Sequence, residues 1–573
     1  MKYGPLFQAN ETCFSLWAPS VEAVDIEFQP GGRLAMERKD DGWFTFRKAC
    51  KAGDKYRFCL RDGLCFPDPA SRRQLGDVHG WSVVVDPEAY RWNNPEWRGR
   101  PWHEAVIYEA HVGLMGGFEG LRQHLPKLAS IGITAIELMP IGDFPGSRNW
   151  GYDGVLLYAP AEAYGTPEEL KALVDEAHGL DMMVFLDVVY NHFGPDGNYL
   201  NSIAEDFFHP EDHTPWGSAI AFDHPIVFEF FLQNALTWLN EYRFDGLRLD
   251  AVHAIRPAAA LRRLGEEIRL GIDADRKIHL VIENEHNEAT LLPTPFDAQW
   301  NDDFHHCIHV LLTNETEGYY HDYKDQTADK LARCLASGFA YQGEHSGSLQ
   351  RPRGSVADKL PLTSFISFIH NHDQIGNRAM GERLTHLAAA DAVRAALTLT
   401  LLCPHIPMIF MGDESGSRSP FLFFTDHNQE LAEAVRNGRR NEFRNFAAFR
   451  DAQRREQIPD PNHEETFARS RPQPDDASFD WPGFYRTLLG LRSRHITPHL
   501  EGARTIEARA LSDRSVLAMW QLGNGSLLML AANFGQESVP FRSADDFRAL
   551  TPPAAPGLVR IPPQTTLAWM RTQ

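Results

Sequence analysis

Short apolar segments recur between residues 105 and 414, and longer stretches with a helical pattern of apolar residues separate most of them. The segments cover residues 105–111, 135–141, 183–190, 246–252, 279–285, 298–300, 364–373 and 407–414. Continuous apolar strands that alternate with helices indicate a parallel sheet whose two faces are both covered. This pattern predicts an α/β protein built on a (β/α)8 TIM barrel, with the short segment at 298–300 as its weakest strand.

The stretch GTPEELKALVDEAHGLD, residues 165–181, shows the helical pattern most clearly. Thr166 and Glu169 have the spacing of a capping box, and Pro167 stands at the first helical position. The stretch at 227–242 has a similar apolar stripe. Both stretches therefore predict helices that pack on the barrel.

The flanking regions predict two further domains, because 573 residues are too many for one hydrophobic core. Residues 1–95 alternate between apolar and polar side chains with turns between them, which predicts an N-terminal β-sandwich. Residues 96–490 would form the barrel with loop insertions, including a long loop region at 415–480. Residues 491–573 return to alternation around a Gly-Asn-Gly turn, which predicts a C-terminal antiparallel β domain.

The composition restricts the classes of partner that the protein can bind. The net charge of −21 argues against nucleic acid or an anionic membrane, since both require a basic surface, and it suits a neutral ligand such as a sugar. No run of 18 apolar residues occurs, and the start MKYGPLFQANET lacks the pattern of a secretion signal. The seven cysteines include no CxxC pair, so we expect free thiols, no zinc site and a cytoplasmic location.

Polar residues follow the apolar part of most predicted strands. They are His111, Asp187, Asn191, His192, Arg248, Asp250, Glu283, Asp302, Asp303, His372 and Asp373. The carboxyl ends of TIM-barrel strands carry the active site, so these side chains are candidates for one. Any single residue among them could be a solvated or loop-capping group, but chance placement at so many strand ends is less expected.

The segment GLRLDAV places Arg248 and Asp250 on one side of a strand, because residues two apart face the same way. A guanidinium beside a carboxylate keeps it ionised, as a nucleophile in glycoside chemistry requires. A core salt bridge is the alternative. A retaining glycosidase also needs a carboxyl that begins protonated, and Glu283 follows the apolar run LVI. Glu285 competes for that role, and either could be a capping or surface acid.

The motifs DVVYNH (187–192), GLRLDAVH (246–253), VIENEHN (281–287) and FIHNHD (368–373) resemble those of the α-amylase superfamily of glycoside hydrolases. The resemblance implies that Asp250 is the nucleophile, Glu283 the general acid/base and Asp373 the third carboxylate. The substrate-binding residues that it implies are Tyr152, Asp187, His192, Arg248, His372, Gln374 and Asn377. Asn191 matches a calcium ligand of some amylases. No dense Asp/Asn cage surrounds it, so we expect no metal and no cofactor.

The segments HTPWG (213–217), WNDDFHH (300–306), NHDQIGNR (371–378) and PFLFFTDH (420–427) are similar to those of one family in that superfamily, the maltooligosyltrehalose trehalohydrolases. Such enzymes cleave the α-1,4 bond next to a terminal trehalose and pair functionally with a maltooligosyltrehalose synthase. The walls of the trehalose-binding side would then be Trp216, His253, Asp302, Asp303, His305, His306, Tyr319 and Tyr320. Each of these could equally be ordinary packing.

Two other functions remain open at this point. A glucan-branching transferase would use the same carboxylates and pass the glycosyl group to a sugar hydroxyl. A non-catalytic glucan-binding barrel would need no carboxylates, and the complete carboxylate set argues against it.

Overall fold

The protein is described by a computed structural model that covers residues 3–8, 11–214, 217–474, 479–543, 545–552, 554, 557 and 560–572. Its centre is a closed barrel whose strands follow one another in chain order. The barrel strands are Ile107–Ala110, Ala135–Leu138, Met183–Val188, Gly246–Leu249, His279–Ile282, Ala298–Trp300, Phe365–Ser367 and Ile406–Phe410. All neighbouring pairs in the barrel are parallel, which confirms the predicted (β/α)8 class.

Helices surround the barrel. The longest in and after the barrel are Gly117–Ile131, Pro167–Gly179, Pro225–Leu236, Ala258–Leu270, Asp302–Thr313, Thr327–Ser337, Ala390–Leu402, Gln429–Glu442 and Trp481–His495. The capping box of Thr166 and Glu169 is confirmed. A π-helical turn, Thr237–Glu241, continues the helix predicted at 227–242. Among the described residues, no helix is both long enough and apolar enough to cross a bilayer.

The prediction of a long loop region at 415–480 is wrong for part of that range. Residues Gln429–Glu442 form a helix, and Asn428 caps it by accepting a hydrogen bond from the backbone N–H of Leu431. Shorter helices follow at Ala452–Glu456 and Glu464–Arg469. The polar composition of this region reflects its exposure, because the longest of these helices buries few of its residues.

Antiparallel sheets flank the barrel on both sides in sequence, as the fold class requires. The N-terminal strands are Thr12–Trp17, Asp25–Gln29, Gly32–Ala35, Glu37–Arg38, Trp43–Lys48, Lys55–Cys59, Cys65–Phe66, Gln74–Leu75 and Trp81–Val83. The main C-terminal sheet contains Arg504–Ser512, Ser515–Gln521, Leu527–Asn533, Arg548–Ala549 and Thr565–Arg571. The domain boundaries at 95/96 and 490/491 stay predictions.

One pair of cysteines contradicts the expectation that all thiols are free. Cys59 and Cys65 face each other on neighbouring antiparallel strands and form a disulfide. Cys13, Cys50, Cys307, Cys334 and Cys403 are free, and all of them but Cys13 are buried. The spacing of six residues gave no CxxC signal, because the strand pairing and not the sequence spacing brings the two sulfur atoms together.

The barrel interior has two layers, since alternate residues of each strand point inward. The lower layer, towards the amino ends of the strands, is apolar and includes Ala105, Ile107, Ala135, Phe185, Val281, Ala298, Ile366 and Met408. The upper layer, towards the carboxyl ends, contains the buried charged residues Glu109, Glu137, Asp187 and Arg248. The upper layer lies directly beneath the candidate site.

Candidate active site

A cavity of about 490 Å³ opens above the upper layer, at the carboxyl ends of the strands. Eleven of the predicted site residues line it: Tyr152, His192, Asp250, His253, Glu283, Asp302, His306, Tyr319, Asp373, Gln374 and Asn377. The folding of the barrel thus brings together side chains that are up to 225 positions apart in the chain, since 377 − 152 = 225. This active-site cavity is where the predicted chemistry would take place.

Arg248 connects three carboxyl groups of the site. Its Nη1 donates to Asp187 Oδ2 at 2.7 Å and to Asp250 Oδ1 at 2.8 Å, and its Nη2 donates to Glu283 Oε2 at 2.8 Å. The guanidinium is fully buried and lies 3.8 Å from the ring centroid of Trp300. A planar fork that serves three carboxylates fixes their relative positions more strictly than a flexible ammonium could.

Asp250 is held on both carboxylate oxygens. Its Oδ1 accepts the hydrogen bond from Arg248, and its Oδ2 accepts one from Asn191 Nδ2 at 2.7 Å. The same Asn191 amide donates to the backbone carbonyl of Asp250 at 3.0 Å. Donors on both oxygens stabilise the ionised carboxylate in one orientation at the edge of the cavity.

Glu283 has one occupied oxygen and one open oxygen. Its Oε2 accepts from Arg248 and from the backbone N–H of Ala251 at 2.9 Å, and no described residue donates to Oε1. Burial raises the pKa of Glu283 well above its ordinary value, and the negative charges of Asp250 and Asp373 add to this despite Arg248. A carboxyl with a raised pKa and an open oxygen in a cavity can donate a proton.

Glu285, the competing acid, lies at the rim. Its side chain is 48% exposed and its carboxylate is 3.9 Å from His253 Nε2, whereas the side chain of Glu283 is 21% exposed and touches Arg248. The geometry therefore favours Glu283 over Glu285 as the acid, because only Glu283 shares the guanidinium with Asp250.

Asp373 lies beside a charged histidine. His372 Nε2 is 3.4 Å from Asp373 Oδ1, while its Nδ1 contacts Glu109. Burial alone would lower the pKa of His372, but the charges of Asp373 and Glu109 raise it well above its ordinary value. Burial likewise would raise the pKa of Asp373, but the charge and hydrogen bond of His372 lower it. The pair therefore presents a carboxylate to the cavity.

Tyr152 connects the wall of the cavity to the upper layer. Its hydroxyl donates to Asp187 Oδ2 at 2.6 Å, and its ring stacks on His372 with 5.2 Å between ring centroids. His192 Nε2 is 3.0 Å from the carbonyl oxygen of Tyr152. Burial raises the pKa of Asp187 to about 7, although Arg248 opposes the shift.

Three of the predicted substrate-binding residues lie beneath the cavity instead of lining it. Asp187, Arg248 and His372 are 2%, 0% and 1% exposed, and they contact the lining residues from below. Asp187 and Arg248 lie on barrel strands, and His372 begins the short helix His372–Gly376. Their direct contact with substrate stays a prediction. Their contacts make them positioning residues.

The predicted product-side residues divide into two groups. His253, Asp302, His306 and Tyr319 line the cavity, whereas Asp303, His305 and Tyr320 do not.

The side chains of the second group have partners elsewhere in the fold, and their role in substrate binding stays a prediction. Asp303 accepts from the backbone N–H of Ala340 at 2.7 Å and pairs with Arg353 at 3.0 Å. His305 lies between the carbonyl oxygen of Ile369 and the hydroxyl of Tyr320, at 2.6 and 3.0 Å. Trp216, predicted for the same wall, lies outside the described residues.

One wall of the cavity carries no residue that was predicted from the sequence. Its lining residues include Trp150, Asp322, Tyr323, Ser346, Ser348, Leu349 and Arg353. Most of them belong to the segment after the sixth barrel strand, which has no motif of the four recognised. Arg353 Nε donates to the carbonyl oxygen of Glu285 at 2.9 Å, which ties this wall to the fifth strand. The one signal for this wall in the sequence is an arginine in a turn that contains Pro and Gly, RPRG, and that signal is weak.

Comparison with known proteins gives two family matches and several relatives. Residues 85–218 match the α-amylase catalytic domain, and residues 503–569 match a domain of unknown function, DUF3459. The chain is 37% identical to a malto-oligosyltrehalose trehalohydrolase of Saccharolobus solfataricus, with 86% of this chain and 87% of the relative covered. It is 39% identical to a protein of the same name from Deinococcus radiodurans, covering 82% and 78%.

Further matches are one partial relative and two solved structures. A 1,4-alpha-glucan branching enzyme of Pseudoalteromonas atlantica is 34% identical but covers only 42% of this chain and 38% of its own. A crystal structure from Salmonella typhimurium, described as a proposed α-amylase, has a TM-score of 0.94 at 42% identity over 99% of both chains. A pullulanase of Bacillus subtilis has a TM-score of 0.72 at 17% identity, over 100% of this chain and 86% of its own.

Proposed function

The chain belongs to the malto-oligosyltrehalose trehalohydrolase family of the α-amylase superfamily, and we propose that it hydrolyses the α-1,4 bond next to the terminal trehalose of maltooligosyltrehalose. The products are trehalose and a shortened maltooligosaccharide. The observation that carries the proposal is the single buried guanidinium of Arg248, which holds Asp250 and Glu283 side by side below an open cavity. That arrangement fits a nucleophile and a partner acid.

In the first step, an Asp250 carboxylate oxygen attacks the anomeric carbon and the bond to the leaving oxygen breaks. Glu283 gives its proton to that oxygen, so trehalose leaves as a neutral molecule. In the second step, Glu283 takes a proton from water while the water oxygen attacks the same carbon and the ester to Asp250 breaks. Two inversions give net retention and return both carboxyls to their starting states.

Asp373 and His372 act on the sugar in the cleaved position. The Asp373 carboxylate, kept ionised by His372, is placed to accept hydrogen bonds from sugar hydroxyls and to favour the positive charge that develops at the anomeric carbon. Tyr152, stacked on His372, offers that sugar an apolar ring face. Arg248, Asp187 and Asn191 hold these groups from below and do not need to touch the substrate.

Incubation with maltooligosyltrehalose and, separately, with amylose tests the proposal. We expect trehalose from the first substrate, with the α configuration retained at the new reducing end of the shortened maltooligosaccharide as measured by NMR, and a much lower rate on the second. New α-1,6 branches in amylose would instead identify a branching transferase. If neither substrate reacts, the remaining interpretation is a non-catalytic glucan-binding barrel.

We also propose a functional pairing with a maltooligosyltrehalose synthase and a cytoplasmic location. A substrate with a trehalosyl end must be formed from a maltooligosaccharide, and an enzyme of that class would supply it. The five free cysteines support a reducing compartment, and the Cys59–Cys65 disulfide is the described feature that argues for an oxidising one. Fractionation of the cells that make the protein, followed by thiol labelling of each fraction, tests both the location and the state of that pair.

A further inference from the structure

A second cavity, of about 580 Å³, adjoins the active-site cavity and shares Tyr319 and Asn377 with it. Three segments enclose it: residues 314–320 after the sixth barrel strand, 377–382 after the seventh and 442–449 after the eighth. We call it the aromatic cavity, because Tyr319, Tyr320, Phe443, Phe446 and Phe449 line it. Tyr319 and Tyr320 were predicted as walls of the trehalose-binding side and Asn377 as a substrate-binding residue, and no function was predicted for the other lining residues.

The lining of the aromatic cavity suits a neutral polyhydroxylated ligand. Its ring faces are apolar and can pack on the C–H faces of pyranose rings. Glu315, Glu317, Glu382 and Glu442 stand among the lining residues with Arg378 as the sole cation, so an anionic ligand is disfavoured. Apolar walls with a few polar groups are typical of sites for small organic ligands.

The aromatic cavity is preformed by contacts between its own segments. The rings of Phe446 and Phe449 are half-buried and pack on Phe443, with ring centroids 5.4 and 5.7 Å apart. The backbone N–H of Ala447 donates to Glu317 Oε1 at 3.2 Å, which fixes the segment after the eighth strand against the segment after the sixth. A ligand would therefore meet rings that are already in place.

The junction between the cavities identifies the part of the substrate that would reach the aromatic cavity. Asn377, one of the two shared residues, donates to Asp373 Oδ1 at 3.3 Å. His253 and Glu285, which lie beyond the acid Glu283, line only the active-site cavity. The leaving trehalose departs on the side of Glu283, so the glucan that remains attached to the cleaved glucose extends past Asp373.

We propose that the aromatic cavity is a binding site for the glucan chain of the substrate, several glucose units from the cleaved bond. The inference rests on the proposed function, because it takes the same substrate and adds where its far end lies. Phe446 and Phe449 would stack on glucose rings. Tyr319 lines both cavities and would guide the chain across the junction, which assigns it to the glucan side instead of the predicted trehalose side. Longer substrates would then bind better than short ones.

The test compares trehalose release from maltosyltrehalose and from maltopentaosyltrehalose by Phe446→Ala and Phe449→Ala variants. We expect kcat/KM for the long substrate to fall about tenfold, mainly through KM, and kcat/KM for the short substrate to change less than about twofold. Phe46→Ala is the matched control, because Phe46 is a half-buried ring in the N-terminal sheets and packs on Phe28. It should leave the ratio of the two substrates unchanged.

Equal losses on both substrates, or no loss on either, would overturn the inference. A Phe446→Leu/Phe449→Leu double variant keeps most of the apolar packing on Phe443 and removes the flat ring faces, so it replaces the alanine variants if they unfold. Inhibition of short-substrate cleavage by maltoheptaose gives a second measurement, and the double variant should weaken it. Failure of the wild-type enzyme to release trehalose from either substrate would refute the proposed function instead.

Discussion

The two layers of the barrel interior come from the same strands and follow the same alternation, yet they differ in chemistry. In the lower layer, Ile107, Phe185 and Val281 pack against one another with almost no exposure. Two residues further along the same strands, Glu109, Asp187 and Glu283 carry carboxyls. A shift of two residues along a strand thus separates a packed core from a candidate active site.

The lower layer stabilises the fold, whereas the charged upper layer lowers its stability. Burial of apolar side chains in the lower layer stabilises the folded state, at roughly 1.5–3 kcal/mol for each large side chain. Burial of charge in the upper layer costs free energy unless each charge is paired. Arg248 pairs with three carboxylates and Glu109 pairs with His372, so the upper layer is tolerated because its charges satisfy one another.

The largest expected effect comes from Glu283→Gln. The amide cannot donate a proton to the leaving oxygen, so kcat on maltooligosyltrehalose should fall by about 10²–10⁴-fold. Glu285→Gln is the matched control two residues away, and it should keep most of the activity because its side chain is at the rim. Steady-state kinetics on both variants checks this, and the reverse pattern would assign the acid to Glu285.

The pH dependence of the wild-type enzyme tests the same residue. Burial, together with the charges of Asp250 and Asp373, raises the pKa of Glu283, and the acid works only in its protonated form. We therefore expect kcat/KM to fall as the pH rises through that pKa. The residual activity of Glu283→Gln should lack this alkaline limb, and an identical limb in both enzymes would assign it to another group.

The next largest effect should be on stability and come from the lower layer. Phe185→Ala leaves a cavity under the site and should reduce the free energy of unfolding by about 3–5 kcal/mol. The kcat of the folded variant should stay within a few-fold of the wild-type value. Phe185 makes no hydrogen bond to any residue that lines the active-site cavity. Denaturant unfolding and kinetics at low temperature measure the two quantities. A large loss of kcat in the folded enzyme would show that the layers are not separable.

A smaller effect is expected from Arg248→Lys, which keeps the charge and loses the planar fork. Lysine cannot serve Asp187, Asp250 and Glu283 with the same geometry, and loss of one charge-assisted hydrogen bond is worth about 1.5–3 kcal/mol. We expect kcat/KM to fall about 10–100-fold and the free energy of unfolding to fall by about 1.5–3 kcal/mol. Full activity of this variant would mean that Arg248 serves only as an ion-pair residue in the core.

The sequence was sufficient to predict the layer that carries chemistry, because the four motifs stand at strand ends and alternation orients their side chains. Arg248 and Asp250 illustrate this, since their spacing of two predicted their contact and the structure confirms it. The barrel, including the short strand Ala298–Trp300, was predictable for the same reason.

Other features depend on tertiary packing that no local pattern encodes. Asp303 and His305 share a segment with Asp302 and His306, and helical geometry turns the first two into the fold and the last two towards the cavity. The wall containing Arg353 and the disulfide of Cys59 and Cys65 arise from contacts between segments without motifs. The helix Gln429–Glu442 was missed because its residues are mostly polar and few of them are buried.

Glu137 provides the smallest expected effect and the sharpest test of what the upper layer requires. It is 1% exposed, and neither carboxyl oxygen has a hydrogen-bond partner among the described residues. Burial raises its pKa well above its ordinary value, and the negative charges of Glu109 and Asp187 raise it further.

Glu137 should therefore be neutral at the working pH and, unlike Asp187, Asp250 and Glu283, it makes no hydrogen bond to Arg248. Glu137→Gln keeps the size and removes only the titratable proton, so the free energy of unfolding should change by less than about 1 kcal/mol and kcat by less than about twofold. Chemical denaturation and kinetics at several pH values check this, with Asp187→Asn as the charged comparison that should lose far more activity. A comparable loss from Glu137→Gln would mean that the upper layer depends on the charge of Glu137 as well.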